Sequence, residues 1–112
     1  MSEKRAVTIL GATGSVGVST LDVIQRNRSA FSVFALTANT NVDAIIKQCL
    51  EVKPRYAVMR NEAAAKQLKL KLAEVLNSQD AENNSHTEVL AGEAGLKFVA
   101  SHKDVDDVVA AI

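Results

Sequence analysis

The chain has 112 residues, of which 47% are apolar, and its 13 basic and 13 acidic side chains give a formal net charge of zero. This length and composition predict one folded domain with a hydrophobic core, and the balanced charge gives no general bias toward nucleic acid or a membrane surface. The single cysteine excludes an internal disulfide and no apolar run is long enough to span a membrane, so we expect a cytoplasmic protein with neither a nucleic-acid nor a membrane partner.

The first predicted elements are a strand and a helix joined by a glycine-rich turn. Residues 6–10 form a short apolar run typical of a strand, and residues 11–17 have the spacing G-x-x-G-x-x-G. A helix is predicted over residues 15–27, with one face formed by Val16, Thr20, Leu21 and Ile24.

The order strand, glycine-rich turn, helix suits the pyrophosphate of a dinucleotide. Glycine lets the backbone turn sharply and approach the phosphates, and the helix N-terminus offers N–H groups and the positive end of a dipole. Gly17 removes a side chain where helix and strand pack closely. The spacing differs from the commoner G-x-G-x-x-G, so the position of the turn between strand and helix carries more weight than its spacing.

The middle of the chain repeats this alternation. Residues 32–38 predict a second strand that is buried on both faces. The next helix, capped by Asn39 or Asn41, has an apolar stripe formed by Val42, Ile45, Ile46, Cys49 and Leu50. Cys49 is therefore interpreted as a buried structural thiol rather than a nucleophile. Pro54 ends this helix, and residues 55–59 predict a third strand.

The remaining elements continue the pattern. Asn61 is a candidate cap for a third helix, whose lysines face solvent and whose inward stripe is Ala65, Leu68, Leu72, Val75 and Leu76. Residues 77–86 predict a polar surface loop, followed by a strand at 87–91, a helix at 92–101 and a strand at 107–112. His86 and His102 are interpreted as solvated or capping residues. Neither has a second ligand at metal-binding spacing, so no metal site is predicted in this chain.

This alternation predicts an α/β fold, a Rossmann-like doubly wound parallel sheet of about five strands with helices on both faces. A ligand would bind at the carboxyl ends of the strands, above the first strand. Because the chain stops at the carboxyl end of a predicted strand, we expect it to be the N-terminal part of a longer protein.

The end of the second strand favours NADP over NAD. A site for NAD usually places an acidic residue there to bind the ribose 2′-hydroxyl, and that carboxylate would repel a 2′-phosphate. Residues 38–41 contain no acidic residue, and the first one, Asp43, already lies in the predicted helix.

Five blocks of the chain resemble the N-terminal region of the 1-deoxy-D-xylulose 5-phosphate reductoisomerase family. They are TILGATGSVG at residues 8–17, STLDVI at 19–24, PRYAVM at 54–59, TEVLAG at 87–92 and DVDDVVAAI at 104–112. They occur in the family's order and span nearly the whole chain. The resemblance implies that residues 1–112 are the NADPH-binding domain of an enzyme that rearranges 1-deoxy-D-xylulose 5-phosphate and reduces the product to 2-C-methyl-D-erythritol 4-phosphate, in non-mevalonate isoprenoid biosynthesis.

The same resemblance implies which partners the full-length enzyme has. These are NADPH, a small phosphorylated sugar as substrate, a divalent cation (Mg or Mn) held by a later catalytic domain, and a second subunit in a homodimer. We expect this chain to contain no catalytic and no metal-binding residue, and to be inactive alone.

Carried over by position, the resemblance also implies the cofactor-binding residues. The turn that contacts the phosphates matches Thr13, Gly14, Ser15 and Val16, and the segment that reaches the adenosine ribose and its 2′-phosphate matches Asn39, Thr40 and Asn41. The common family version of this segment is Gly-Lys-Asn, so the lysine is replaced here by Thr40. We hypothesise that Arg60, which follows the third strand, supplies the missing cation. The alternative is that Arg60 is only solvent-exposed and neutral donors hold the phosphate.

Two other functions remain open at this point. A reductase of the semialdehyde-dehydrogenase type shares Gly-Ala-Thr-Gly-x-Val-Gly but requires a catalytic cysteine further along, and Cys49 comes too early and is predicted to be buried. A non-enzymatic NAD(P)-sensing domain would use the same turn to report cofactor levels to a partner.

Overall fold

A computed structural model of the chain describes residues 4–78 and 87–111. Strands and helices alternate along these residues, as the sequence predicts. The strands are β1 (Arg5–Leu10), β2 (Phe31–Ala38), β3 (Tyr56–Met59), β4 (Glu88–Ala91) and β5 (Asp107–Ala110), and the helices are α1 (Ser15–Arg26), α2 (Val42–Val52), α3 (Glu62–Ser78) and α4 (Gly92–Ser101). None of the helices in these two ranges is long and apolar enough to cross a bilayer.

The strands form one parallel sheet in the order β4-β3-β2-β1-β5. The chain builds the sheet outward from β1 through β2, β3 and β4, and then crosses to the other side of β1 to add β5. The direction of growth therefore reverses at β1. In open α/β sheets, ligands bind at the carboxyl ends of the strands beside such a reversal, which here places the glycine-rich turn at the expected position.

Helices cover both faces of the sheet. Because successive strand residues point to opposite faces, each buried strand contributes side chains to two cores. On β3, Ala57 and Met59 belong to the large core under α1, α2 and α3, whereas Val58 packs with Phe34 and Val99 in a smaller core under α4. The predicted Rossmann-like α/β fold, with its buried second strand, is confirmed.

Asparagines begin two of the helices. The Oδ1 atom of Asn41 accepts a hydrogen bond from the Ala44 N–H at 3.2 Å, and that of Asn61 accepts one from the Ala64 N–H at 2.9 Å. Asn41, rather than Asn39, is thus the cap of α2. This helix ends at Val52, one residue before Lys53 takes a left-handed conformation with φ of 49°.

Two sequence-based expectations are wrong. Val16 was expected on the inward face of α1, but it is 57% exposed, and the buried face is formed by Gly17, Leu21 and Ile24. The reason is that Gly17 makes the closest helix–turn contact, which rotates Val16 outward. Helix α3 extends through Ser78 instead of giving way to a loop at residue 77, since no glycine or proline interrupts it. Three further predictions lie outside the part of the chain that the structure describes. They are the rest of the loop with His86, the inward position of the Leu76 side chain, and the end of the last strand at Ile112.

Candidate functional site

The glycine-rich turn is held by β2, the strand beside it. Gly11 has φ of +79°, a left-handed conformation that favours glycine. The Oγ1 atom of buried Thr37 accepts a hydrogen bond from the Gly11 N–H at 3.0 Å, and the Thr37 carbonyl accepts one from the Ala12 N–H at 2.8 Å. One residue of β2 therefore fixes two consecutive amides of the turn.

The two later glycines of the turn have different surroundings. A Cβ atom on Gly17 would lie 2.4 Å from the Gly11 carbonyl oxygen and 2.6 Å from the Ala12 Cα, so Gly17 is required for the close packing of α1 on the turn. A Cβ atom on Gly14 would meet only ordinary contacts, at 3.7 Å from the Gly11 oxygen and 3.9 Å from the Ala111 oxygen. The fold itself thus leaves room for a side chain at Gly14.

The N-terminus of α1 carries an uncompensated positive dipole end. Gly14 occupies the N-cap position and has no side chain to accept a hydrogen bond from the first turn, which also contains no acidic residue. The first amides of a helix have no acceptor within the helix. These N–H groups, beginning at Ser15 and Val16, consequently suit an anion.

A cleft of about 510 Å³ opens in front of this turn. It lies at the carboxyl ends of the strands and is lined by Gly11, Thr13 and Gly14 of the turn, by Asn39 after β2 and by Arg60 after β3. The remaining lining residues come from the ends of β1, β2 and β5 and from α4: Leu10, Thr37, Ala38, Leu96, Lys97, Ala100 and Ala111.

The structure brings together only part of the predicted site. Thr13, Gly14 and Asn39 line the cleft, whereas Ser15 and Val16 border a shallow depression along α1. Thr40 is exposed beyond Asn39, and the Oδ1 atom of Asn41 is engaged as the cap of α2.

Arg60 follows β3 directly and lies beside the end of β2. Its N–H donates a hydrogen bond to the Ala38 carbonyl at 2.9 Å, which places the end of β3 beside the end of β2. Its side chain is 62% exposed and lines the cleft, and Nη2 lies 3.5 Å from Oε1 of Glu93 at the start of α4. The expected adjacency of the two strand ends is confirmed.

Sequence reasoning missed three residues of this region. Thr37 is a hydroxyl residue in an apolar, buried strand, and Gln48 falls between Ile45 and Cys49 on the inward side of α2, so both carried a usable signal. Gln48 is buried, and its Nε2 atom donates a hydrogen bond to the Ala12 carbonyl at 2.7 Å. Lys97 had no such signal, because its place in the cleft depends on how α4 packs.

Cys49 and His102 have structural surroundings. Burial raises the pKa of the Cys49 thiol to about 12, which makes it a poor nucleophile at neutral pH and removes support for the semialdehyde-dehydrogenase alternative. His102 packs against the rings of Phe34 and Phe98, and its Nδ1 atom accepts a hydrogen bond from the Asp104 N–H. Within residues 4–78 and 87–111, no three His, Cys, Asp or Glu side chains are grouped as metal ligands would be.

The fold and the site define a Rossmann-like α/β domain with a glycine-rich turn at the reversal point of its sheet. A family model for 1-deoxy-D-xylulose 5-phosphate reductoisomerase matches residues 7–112, and the chain belongs to this family.

Relatives of the same description are similar along nearly the whole chain. The protein from Saccharophagus degradans is 47% identical over 106 residues, which are 95% of this chain and 25% of the relative. The protein from Nitrosospira multiformis is 48% identical over 108 residues, 96% of this chain and 25% of the relative. The chain thus spans about a quarter of the length of the curated relatives it matches.

Solved structures of reductoisomerases are also similar to this chain along nearly its whole length. The crystal structure of DOX-P reductoisomerase in complex with NADPH, fosmidomycin and magnesium has a TM-score of 0.84 at 33% identity, over 96% of this chain and 24% of that one. The reductoisomerase from Zymomonas mobilis in complex with NADPH has a TM-score of 0.77 at 38% identity, over 93% of this chain and 25% of that one.

Proposed function

We propose that this chain binds the adenosine and pyrophosphate part of NADPH in the cleft, as the cofactor domain, residues 1–112, of a 1-deoxy-D-xylulose 5-phosphate reductoisomerase. The observation that carries the proposal is the glycine-rich turn itself. It opens onto the 510 Å³ cleft at the reversal point of the sheet, beside a helix N-terminus without an acidic residue. This geometry suits a diphosphate.

Each part of the cofactor meets a different segment. The amides of Ser15 and Val16, with the Thr13 hydroxyl, would donate hydrogen bonds to the pyrophosphate, whereas the Gly14 N–H already donates to the Gly11 carbonyl at 3.3 Å. The space at Gly14 that a Cβ would fill is the space through which the phosphate approaches the backbone.

The adenosine ribose would lie over the end of β2. There Asn39 and Thr40 offer neutral donors, and Asn41 offers its amide NH₂ because its Oδ1 atom already caps α2. No carboxylate occurs in this segment, which supports NADPH over NADH.

For the whole enzyme, we propose the family's reaction, in which the sugar phosphate 1-deoxy-D-xylulose 5-phosphate is rearranged and then reduced by NADPH. The divalent cation, Mg or Mn, would be held by residues outside this chain. The structures that match include complexes with NADPH and with magnesium, which supports both cofactors for the full-length protein. A homodimer is part of this proposal. So is a cytoplasmic location, which fits a single, unpaired cysteine.

Titration of the ¹⁵N-labelled chain with NADPH tests the binding site. We expect shifts of the Gly14, Ser15 and Val16 amides and a dissociation constant between roughly tens of micromolar and millimolar, since only the adenosine half of the cofactor is contacted. Shifts confined to the amino ends of the strands, around Arg28 and Lys53, would show that the site is elsewhere.

A further inference from the structure

We propose that Arg60 is the residue that recognises the 2′-phosphate of NADPH, and that Glu93 competes with this phosphate for the Arg60 guanidinium. The inference rests on the proposed function and adds to it the residue that sets the preference for the phosphorylated cofactor. It also assigns a role to an ion pair that packing alone does not require.

The backbone fixes Arg60 beside the adenosine segment. The Arg60 N–H donates a hydrogen bond to the Ala38 carbonyl at 2.9 Å, and the Asn61 N–H donates one to the Asn39 carbonyl at 3.2 Å. The ends of β2 and β3 are thereby joined just where both strands stop. The side chains of Asn39 and Arg60 line the same cleft as a result.

The charges around the cleft suit a phosphate at this end. Its two cationic lining residues in the described part of the chain are Arg60 and Lys97, and the lining includes no acidic residue. A guanidinium bonds two phosphate oxygens at once, which an ammonium group or a neutral amide does not do. Arg60 is also the cation that is anchored next to Asn39, whereas Lys97 belongs to α4.

Glu93 holds Arg60 only weakly. The closest nitrogen–oxygen distance is 3.5 Å, and the side chains are 62% and 71% exposed. Exposed ion pairs of this kind contribute little free energy. A 2′-phosphate carries between one and two negative charges and accepts shorter, bidentate hydrogen bonds from a guanidinium. The phosphate therefore displaces Glu93, and the ion pair reduces the apparent affinity for the phosphorylated cofactor.

The test compares adenosine 2′,5′-bisphosphate with adenosine 5′-monophosphate, which differ only in the 2′-phosphate. Dissociation constants are measured by titration of the chain and of four variants. Arg60→Ala should lower the preference for the bisphosphate by about five- to thirtyfold, and Arg60→Lys should restore part of it. Glu93→Gln should raise the affinity for the bisphosphate by about two- to fivefold and leave that for the monophosphate unchanged.

Arg28→Ala is the matched control. It removes the same charge from an exposed position at the amino end of β2, away from the cleft, and should leave the preference unchanged. An equal loss in Arg28→Ala and Arg60→Ala would overturn the proposal, because the effect would then be one of net charge.

The remaining outcomes distinguish a failure of the Arg60 proposal from a failure of the proposed function. If both nucleotides bind and Arg60→Ala keeps the parent's preference, Arg60 is not the recognition residue, while the proposed cofactor site stands. If Glu93→Gln gains no affinity for the bisphosphate although Arg60→Ala loses it, Glu93 does not compete with the 2′-phosphate for Arg60. If the parent chain binds neither nucleotide, the proposed function itself is wrong.

Discussion

The Nε2 atom of Gln48 donates a hydrogen bond of 2.7 Å to the carbonyl oxygen of Ala12, which lies 36 residues earlier in the chain. Gln48 is in α2, and Ala12 is in the glycine-rich turn. Since α2 is also capped by Asn41, the last residue of the adenosine segment, one helix links the two halves of the proposed cofactor site. Gln48 does not line the cleft, so we interpret it as a positioning residue.

Replacing Gln48 with Met should destabilise the fold by about 1–2 kcal/mol, because the buried Ala12 carbonyl loses this partner. Urea unfolding measures the loss of stability. Nucleotide titration under conditions in which the variant is folded should show weaker binding than in the parent chain. Gln25→Met on α1, where the amide makes only an exposed 3.4 Å contact, should change stability by less than about 0.5 kcal/mol. Equal stability of the two variants would contradict a role for Gln48.

The two later glycines of the turn should respond in opposite ways to alanine. Gly17→Ala should prevent or strongly destabilise folding, because its Cβ would lie 2.4 Å from a backbone oxygen that cannot move without opening the turn. Gly14→Ala should fold with nearly unchanged stability, since its Cβ meets nothing closer than 3.7 Å.

Gly14→Ala should nevertheless weaken NADPH binding, and Gly14→Val should abolish it, because the added atoms occupy the path of the phosphate to the backbone. Thermal unfolding and amide titration of the same samples separate the two effects. Unchanged NADPH binding by Gly14→Val would show that the phosphate does not approach here.

The course of the chain was predictable because it depends on local patterns. The alternation of apolar runs with helical periodicity predicted the strands and helices, and the position of the glycines between the first strand and the first helix predicted the turn. The outward position of Val16 was not predictable, since it follows from how closely Gly17 packs. The Arg60–Glu93 pair and the contact of Gln48 depend on the packing of α4 and α2, which a linear pattern does not encode. The rotation of each helix about its axis could not be predicted from the linear pattern, and that rotation determines the contacts at the site.

Cys49 should make stability fall at high pH. Its folded pKa of about 12 lies above the ordinary value of 9.0, because burial disfavours the thiolate. Below pH 9 the thiol is neutral in both the folded and the unfolded chain, and its ionisation does not change the free energy of unfolding. Between pH 9 and 12 the unfolded chain ionises first, which costs the fold about 1.4 kcal/mol per pH unit.

Unfolding free energies of the parent chain and of Cys49→Ala, measured across this range, isolate the contribution of the thiol. The parent's curve should fall more steeply, whatever the constant difference that the smaller side chain introduces. Parallel curves would show that the thiol is accessible to water in the folded state.

Arg5 and Asp107 join β1 to β5 on the side of the sheet where its order reverses. The Arg5 Nε and Nη2 atoms donate hydrogen bonds to the two carboxylate oxygens of Asp107 at 2.6 and 3.0 Å. This bidentate hydrogen bond, and then the charge of Arg5, hold the pKa of Asp107 below its usual value. A carboxyl whose pKa is lower in the folded state stabilises the fold above its unfolded pKa, and that contribution is lost as the pH falls through the folded pKa.

Arg5→Met should consequently raise the pKa of Asp107 toward the ordinary value, as followed by the NMR titration of its carboxyl carbon. It should also shift the acid-induced loss of stability to higher pH. Arg26→Met removes an arginine from an exposed ion pair within α1, and it should leave the Asp107 titration where it is in the parent. If the Asp107 pKa is the same in Arg5→Met as in the parent, Arg5 does not hold the carboxylate, and β5 is attached to β1 by its backbone hydrogen bonds alone.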